Sequence, residues 1–268
     1  MANQQKVAVI GAGVMGEALI AALIRAGISP ASISIVEKRL ERANELIARY
    51  GITQSPLELA TSSSDVILLV VKPQDMENVL QDIKNTINKS ALVMSFAAGK
   101  KIGFIADHLR GNQPIVRIMP NTPTSVGLGA AGYSYGPGVT QEQKRFVTTF
   151  LAAAGVAVEV DESLQDAITA TSGSGPAYFF AFVEAMISAA TRLGLDESSA
   201  KTLVSQTLVG AAAMLDQSGK EARELRENVT SPNGTTAAAL NVFNANKLDE
   251  IVYEAMKAAR ERSIELSN

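Results

Sequence analysis

The sequence predicts an α/β protein, an N-terminal doubly wound sheet followed by an all-helical domain. Three observations lead there. From residue 6 to about 160 short β-branched runs alternate with helical stretches, a pattern that builds a parallel sheet with covering helices. Runs such as Val66-Ile67-Leu68-Leu69-Val70-Val71 are apolar at consecutive positions, so both faces of that sheet should be buried. Beyond Asp161 the apolar spacing is helical throughout. The 268 residues exceed one domain of ~150 residues and fall short of two. The boundary is placed at 160/161, giving a dinucleotide-binding domain at 1–160 and a helical domain at 161–268.

In chain order, strands are expected at Val7–Ile10, Ile33–Val36, 66–71, Leu92–Ser95, 115–118 and 156–160. Helices in the second half are expected at about 163–171, 176–193, 197–217, 220–228, 235–244 and 248–266. The helix from Pro176 is apolar almost all round, and the next one carries Leu208-Val209-Gly210-Ala211-Ala212-Ala213-Met214. A helix without a polar face needs burial on every side. About 108 residues of helix offer too little interior for two such helices, so a second copy of the chain should cover them.

Composition narrows the chemistry. Cysteine and tryptophan are absent and His108 is the single histidine, which rules out disulfides, thiolate metal sites and histidine-rich centres. A metal is expected nowhere. His108 sits where a helix should end, so the plain reading is a surface ring near the C-terminal dipole. The net charge of −3 and the lack of any basic run speak against nucleic acid and for a small-molecule partner. Charge is uneven: residues 1–160 carry 15 basic against 12 acidic side chains, and 161–268 carry 9 against 15. An anionic ligand should favour the first half. The opening MANQQK runs straight into a strand without the order of a signal peptide, so a cytoplasmic location is expected. The apolar run at 176–190 is interrupted by Glu184 and is shorter than the ~20 residues that span a bilayer. A buried helix is expected there, and no membrane partner.

The strand Val7–Ile10 runs into Gly11-Ala12-Gly13-Val14-Met15-Gly16 and then an alanine- and leucine-rich helix, the Rossmann fingerprint in its required context. Gly11 permits the tight turn, Gly13 lets the backbone approach a pyrophosphate, and Gly16 allows close helix packing. Glu37 ends the second strand, placed to accept a hydrogen bond from a ribose 2′-hydroxyl, which favours NAD(H). Lys38 and Arg39 follow at once, and either could pair with a 2′-phosphate, which favours NADP(H). The signal conflicts with itself. Val71, Lys72 and Pro73 close the strand at 66–71, Ala97, Ala98 and Gly99 follow Leu92–Ser95, and Met119, Pro120 and Asn121 follow the strand at 115–118. Ligands of open α/β sheets lie at carboxyl strand ends, so these segments are candidate nicotinamide walls.

Two segments of the helical half are unlike helix filler: Thr171-Ser172-Gly173-Ser174-Gly175-Pro176, and Val229-Thr230-Ser231-Pro232-Asn233-Gly234-Thr235-Thr236. Both lead into helices. Free N–H groups at a helix start, among hydroxyls and glycines, can cradle a carboxylate; N-caps and an Asn-Gly turn that merely start helices are the alternative.

GAGVMG, VVKP, FAAG, RIMPNTP, TSGSGPAYFF and NVTSPNGTTAAAL, in this order and spacing, closely resemble pyrroline-5-carboxylate reductases over nearly the whole chain. The resemblance implies reduction of the cyclic imine 1-pyrroline-5-carboxylate to L-proline with NAD(P)H, NADP(H) being favoured and NAD(H) also used. It implies a helical dimerisation domain, with dimers assembling five at a time into decamers, and an active site where the two domains meet. Carried onto this chain, it places Ser231, Asn233, Gly234 and Thr235 on the substrate carboxylate, Thr236 beside the imine nitrogen as the catalytic hydroxyl, and Ser174 at the border of the same pocket. Asn233 stands where many members have glycine, which puts the backbone angles there in question. Two rival readings remain: a β-hydroxyacid dehydrogenase, against which the helix after Pro176 lacks the usual lysine, and a dinucleotide-sensing regulatory module.

Overall fold

The computed structural model describes residues 5–109 and 113–266. The reading of the first four residues as leaderless therefore lies outside the described residues. The chain divides into two compact units, one of residues up to Ser174 together with those from Ala258 onward, the other Gly175–Lys257. Packing thus divides the chain later than the change from strand to helix near 160.

The first unit is an eight-stranded sheet: β1 Val7–Ile10, β2 Ile33–Val36, β3 Thr53–Gln54, β4 Val66–Leu69, β5 Leu92–Ser95, β6 Ile115–Met119, β7 Gly129–Tyr135 and β8 Gly155–Glu159, in the order β3-β2-β1-β4-β5-β6-β7-β8. Strands from β3 to β6 are parallel, with Val7 opposite both Ile33 and Val66. All four residues of β1, β4 and β5 are buried, as two covered faces demand. Val7 and Val9 join α1 (Val14–Arg25), α2 (Leu40–Tyr50) and α6 (Gln141–Ala154) in one core. Ala8 and Ile10 join α3 (Leu57–Ser63), α4 (Met76–Ile83) and α5 (Ile102–His108) in the other.

The sheet is parallel as expected except at β7, which runs antiparallel to β6 and carries β8 parallel to itself. Its sequence, GAAGYSY, has little strand propensity. Small residues are needed there because a Cβ on Gly132 would come within 2.7 Å of Ile168. The strand expected at 66–71 ends at Leu69, and Val70 and Val71 already belong to the turn that follows. The helix expected at 163–171 is instead a 3-10 turn, the short α7 (Gln165–Ile168) and a π turn, Thr169–Gly173. Buried Arg117 of β6 holds this segment, lying 3.4 Å from Glu162 and 3.7 Å from Asp166. Ser263, near the C-terminus, donates to Asp166 at 2.7 Å.

The second unit holds α8 (Gly175–Arg192), α9 (Glu197–Gln217), α10 (Ala222–Asn228), α11 (Thr235–Ala245) and the start of α12 (Leu248–Glu265). Phe182 of α8 meets Phe243 of α11 with ring centroids 6.3 Å apart. Within the single chain α8 is not covered, as expected of a helix that needs a second copy: Phe179 and Phe180 are each 61% exposed. Among the described residues no helix is long and apolar enough to cross a membrane.

Candidate active site

β1 lies between β2 and β4, where the strand order reverses, and such switch points open a crevice at the carboxyl ends of the strands. Gly11 enters it with φ +92°, its N–H donating to the Val36 carbonyl at 3.0 Å. A Cβ there would lie 2.7 Å from the Val70 carbonyl oxygen, so only glycine lets the turn pass β4. A Cβ on Gly16 would run into the Gly11 carbonyl oxygen, whereas one on Gly13 meets nothing within 4 Å. Gly13 starts α1 without any side-chain cap. Tight where the protein must close on itself and open over Gly13, the turn fits a dinucleotide pyrophosphate at a helix start. Ala12 and Gly16 are buried, Met15 is half-buried, and Val14 is 76% exposed.

Glu37, one residue past β2, accepts from Ala12 N–H at 3.2 Å and from Arg39 N–H and Nε at 3.0 Å each. Burial pushes its carboxyl up, but the Arg39 hydrogen bonds, the guanidinium charge and Ala12 N–H outweigh that and hold it below the ordinary glutamate value. Glu37 is therefore a carboxylate anchored to the glycine turn, and Arg39 is the cation anchored to it. Lys38 points to solvent.

Since β1, β4, β5 and β6 are adjacent and parallel through β1-β4-β5-β6, their carboxyl ends line one edge. The structure thus brings together the candidate walls. Val71 and Pro73 are half-buried and Lys72 exposed; Ala97 is buried, Ala98 half-buried, and Gly99 has φ +75°. Pro120 is buried beside half-buried Met119. Asn121 has a structural task as well: its Oδ1 accepts from Ala130 N–H at 2.9 Å and its Nδ2 donates to the Ser172 carbonyl at 3.1 Å. A Cβ on Gly173 would lie 2.6 Å from Met119. The turn carrying Ser174 is thereby fixed at the carboxyl end of β6, and Ser174 N–H donates to the Thr169 carbonyl at 2.8 Å.

Ser231, Asn233, Gly234, Thr235 and Thr236 belong to the second unit. Gly234 N–H donates to the Ser231 carbonyl at 3.0 Å, closing a four-residue turn with Pro232 and Asn233 at its centre. Asn233 has φ 61°, the left-handed conformation that a type II turn requires at its third residue. Asparagine tolerates it, which resolves the question raised by its place in a glycine position. Gly234 then starts α11 without a side-chain cap, leaving first-turn N–H groups available to an acceptor. Thr235 is exposed and Thr236 half-buried.

Two residues near the glycine turn escaped sequence reasoning. Arg42 Nε of α2 donates to the Ala12 carbonyl at 3.2 Å, and its Nη2 pairs with Glu17 of α1. No motif marks either; the basic pair Arg42 and Arg49, seven residues apart on α2, was the available signal.

Comparison with known proteins adds identity to this geometry. The family described as pyrroline-5-carboxylate reductase dimerisation matches residues 162–266, and that described as NADP oxidoreductase coenzyme F420-dependent matches residues 6–99. The pyrroline-5-carboxylate reductase of Corynebacterium melassecola is 42% identical, covering 97% of this chain and 98% of its own. A solved pyrroline-5-carboxylate reductase from Coxiella burnetii is 34% identical with a TM-score of 0.92, over 99% of this chain and 100% of that one. The Plasmodium falciparum pyrroline carboxylate reductase, solved with NADP bound, is 30% identical with a TM-score of 0.88, over 99% of each chain.

Proposed function

The chain belongs to the pyrroline-5-carboxylate reductase family, and from that premise we propose how its residues carry out the reaction. The protein is an oxidoreductase that reduces 1-pyrroline-5-carboxylate to L-proline with NAD(P)H, the last step of proline biosynthesis. NADP(H) is the favoured cofactor and NAD(H) a second one. The helical half mediates oligomerisation.

The reduced nicotinamide, when bound, supplies the hydride that adds to the imine carbon. The rest falls to this chain. The turn Gly11, Ala12, Gly13, Val14, Met15 and Gly16 binds the pyrophosphate, offering the N–H groups from Gly13 onward, while the N–H groups of Gly11 and Ala12 stay on Val36 and Glu37 and hold the turn in shape. Glu37, Lys38 and Arg39 read the adenosine ribose, the Arg39 guanidinium favouring a 2′-phosphate. Val71 to Pro73, Ala97 to Gly99 and Met119 to Asn121 wall the nicotinamide. Ser231, Asn233, Gly234 and Thr235 grip the substrate carboxylate, and Ser174 is a further substrate-binding residue. Thr236 holds the ring nitrogen, accepting from an iminium N–H or donating to a neutral imine. Orientation is the main contribution, holding the reacting carbons at ~3–3.5 Å. Residues 1–160 then serve the dinucleotide, and 161–268 serve substrate and dimerisation. A cytoplasmic location and a decamer of five dimers complete the proposal.

The observation that carries this reading is the match of the dimerisation family over 162–266, a span that contains Ser174 and the whole turn at 231–236. The test is loss of NAD(P)H absorbance on adding pyrroline-5-carboxylate, with NADPH and NADH at equal concentration. Turnover with NADPH somewhat ahead is expected; an absorbance that does not change overturns the proposal.

A further inference from the structure

We propose that Arg42 is a positioning residue for the dinucleotide phosphates: by holding the Ala12 carbonyl it turns the Gly13 N–H toward the open space over Gly13. The inference rests on the reading of the glycine turn as the cofactor site. Two peptide units form the apex of that turn, and the described residues include no cis bond. In a trans unit the carbonyl and the N–H point in opposite directions, so whatever holds one group aims the other. Glu37 accepts the Ala12 N–H at 3.2 Å, which sends the Gly11 carbonyl the other way, toward the place where a Cβ of Gly16 would meet it. Arg42 Nε donates to the Ala12 carbonyl at 3.2 Å, which sends the Gly13 N–H away from α2. Nothing lies within 4 Å of a Cβ built on Gly13, so a phosphate has room there.

The guanidinium is itself fixed. Nη1 reaches Glu45 at 2.7 Å and Nη2 reaches Glu17, and Arg42 is only 17% exposed. Three bonds in the plane of one fork fix its orientation, which an ammonium could not do. Arg49 provides an internal control, because it pairs with the same Glu17 and with Glu45 at 2.9 Å, while its described bonds do not include Ala12.

The test titrates NADPH into the purified full-length enzyme, reading nicotinamide fluorescence, alongside steady-state kinetics. Arg42→Gln is expected to raise the NADPH Kd about tenfold, the loss of one charged hydrogen bond, with kcat at saturating NADPH and the imine KM within about twofold. Arg49→Gln is expected to bind NADPH as the wild type does. Should Arg42→Gln not fold, Arg42→Lys, which keeps the charge between Glu17 and Glu45 without the Nε donor, carries the same expectation. NADPH binding unchanged in the Arg42 variant, or weakened equally in Arg49→Gln, overturns the proposal and leaves the cofactor site standing. A wild-type enzyme that does not bind NADPH overturns both.

Discussion

Thr236 is the residue on which the proposed chemistry turns, because a hydroxyl at the second position of α11 is the one side chain of the turn assigned to the ring nitrogen. Thr236→Val keeps the shape and removes the hydrogen bond. It should lower kcat about tenfold, the worth of one such bond, while the NADPH KM stays put; unchanged turnover in steady-state assays removes Thr236 from the mechanism. Its neighbour Asn233, at φ 61°, makes a backbone prediction. Asn233→Gly should leave the imine KM within about twofold, whereas Asn233→Val, forced into a left-handed conformation costing about 1–2 kcal/mol, should raise it severalfold. The two KM values measured side by side decide whether the turn's backbone does the gripping. The residue types here were legible as a motif. Their conformation was not, since a left-handed asparagine and an extended one share a letter, and the bond from Gly234 to Ser231 is set by the turn as a whole.

At the level of elements, the β1-turn-α1 unit separates binding from folding. Gly13 has φ −67° and open space around it, so Gly13→Ala should melt at or slightly above the wild-type temperature yet lose NADPH affinity, because the methyl occupies ligand space. Gly16→Ala drives a methyl into the Gly11 carbonyl and should cost about 1–3 kcal/mol of stability. Thermal melts and NADPH titrations of the two variants, read together, would contradict the assignment if both lost stability equally. The junction of α1 and α2 predicts a pH dependence. Burial raises the Glu17 carboxyl, but hydrogen bonds from Arg42, Tyr50 and Arg49 bring it below 4.5. A carboxyl depressed in the folded state stabilises fully above its unfolded value and loses that contribution as pH falls through the folded one. Below about pH 4.5 the wild type should therefore lose melting temperature faster than Glu17→Gln. The positions of the other strands, the long helices of the second half and the glycine turn were visible because β-branched runs and 3.6-residue spacing are strong signals. β3 and β7 were not: β3 is two exposed residues, and β7 is built from Gly, Ala, Ser and Tyr, with Gly132 closed against Ile168.

For the molecule as a whole, the inner strands of the sheet unit are covered within the chain and the long helices of the helical unit are not. The strands of β1, β4 and β5 are wholly buried, while α8 leaves Phe179 and Phe180 61% exposed and α9 leaves Leu203 57% and Val209 60% exposed. Apolar surface of this kind marks an interface, and the match to a dimerisation family over 162–266 supplies the occupant as a second copy. The need for a partner was legible in a helix without a polar face; the size of the assembly was not, because helix amphipathy says how much surface must be covered and not by how many copies. Two-fold symmetry makes a patch count twice, since each residue faces its counterpart's surroundings as well as its own. Phe180→Asp therefore buries two new carboxylates per dimer and should weaken dimerisation about a hundredfold or more. Sedimentation at micromolar concentration should show a wild-type dimer or larger assembly and a smaller variant species. That species should still bind NADPH, whose proposed site is made of first-unit residues, while turnover falls because the proposed substrate turn belongs to the unit that has lost its support. A variant that stays assembled, or a wild type that sediments as a monomer with full turnover, would show that the exposed face of α8 is not what joins the subunits.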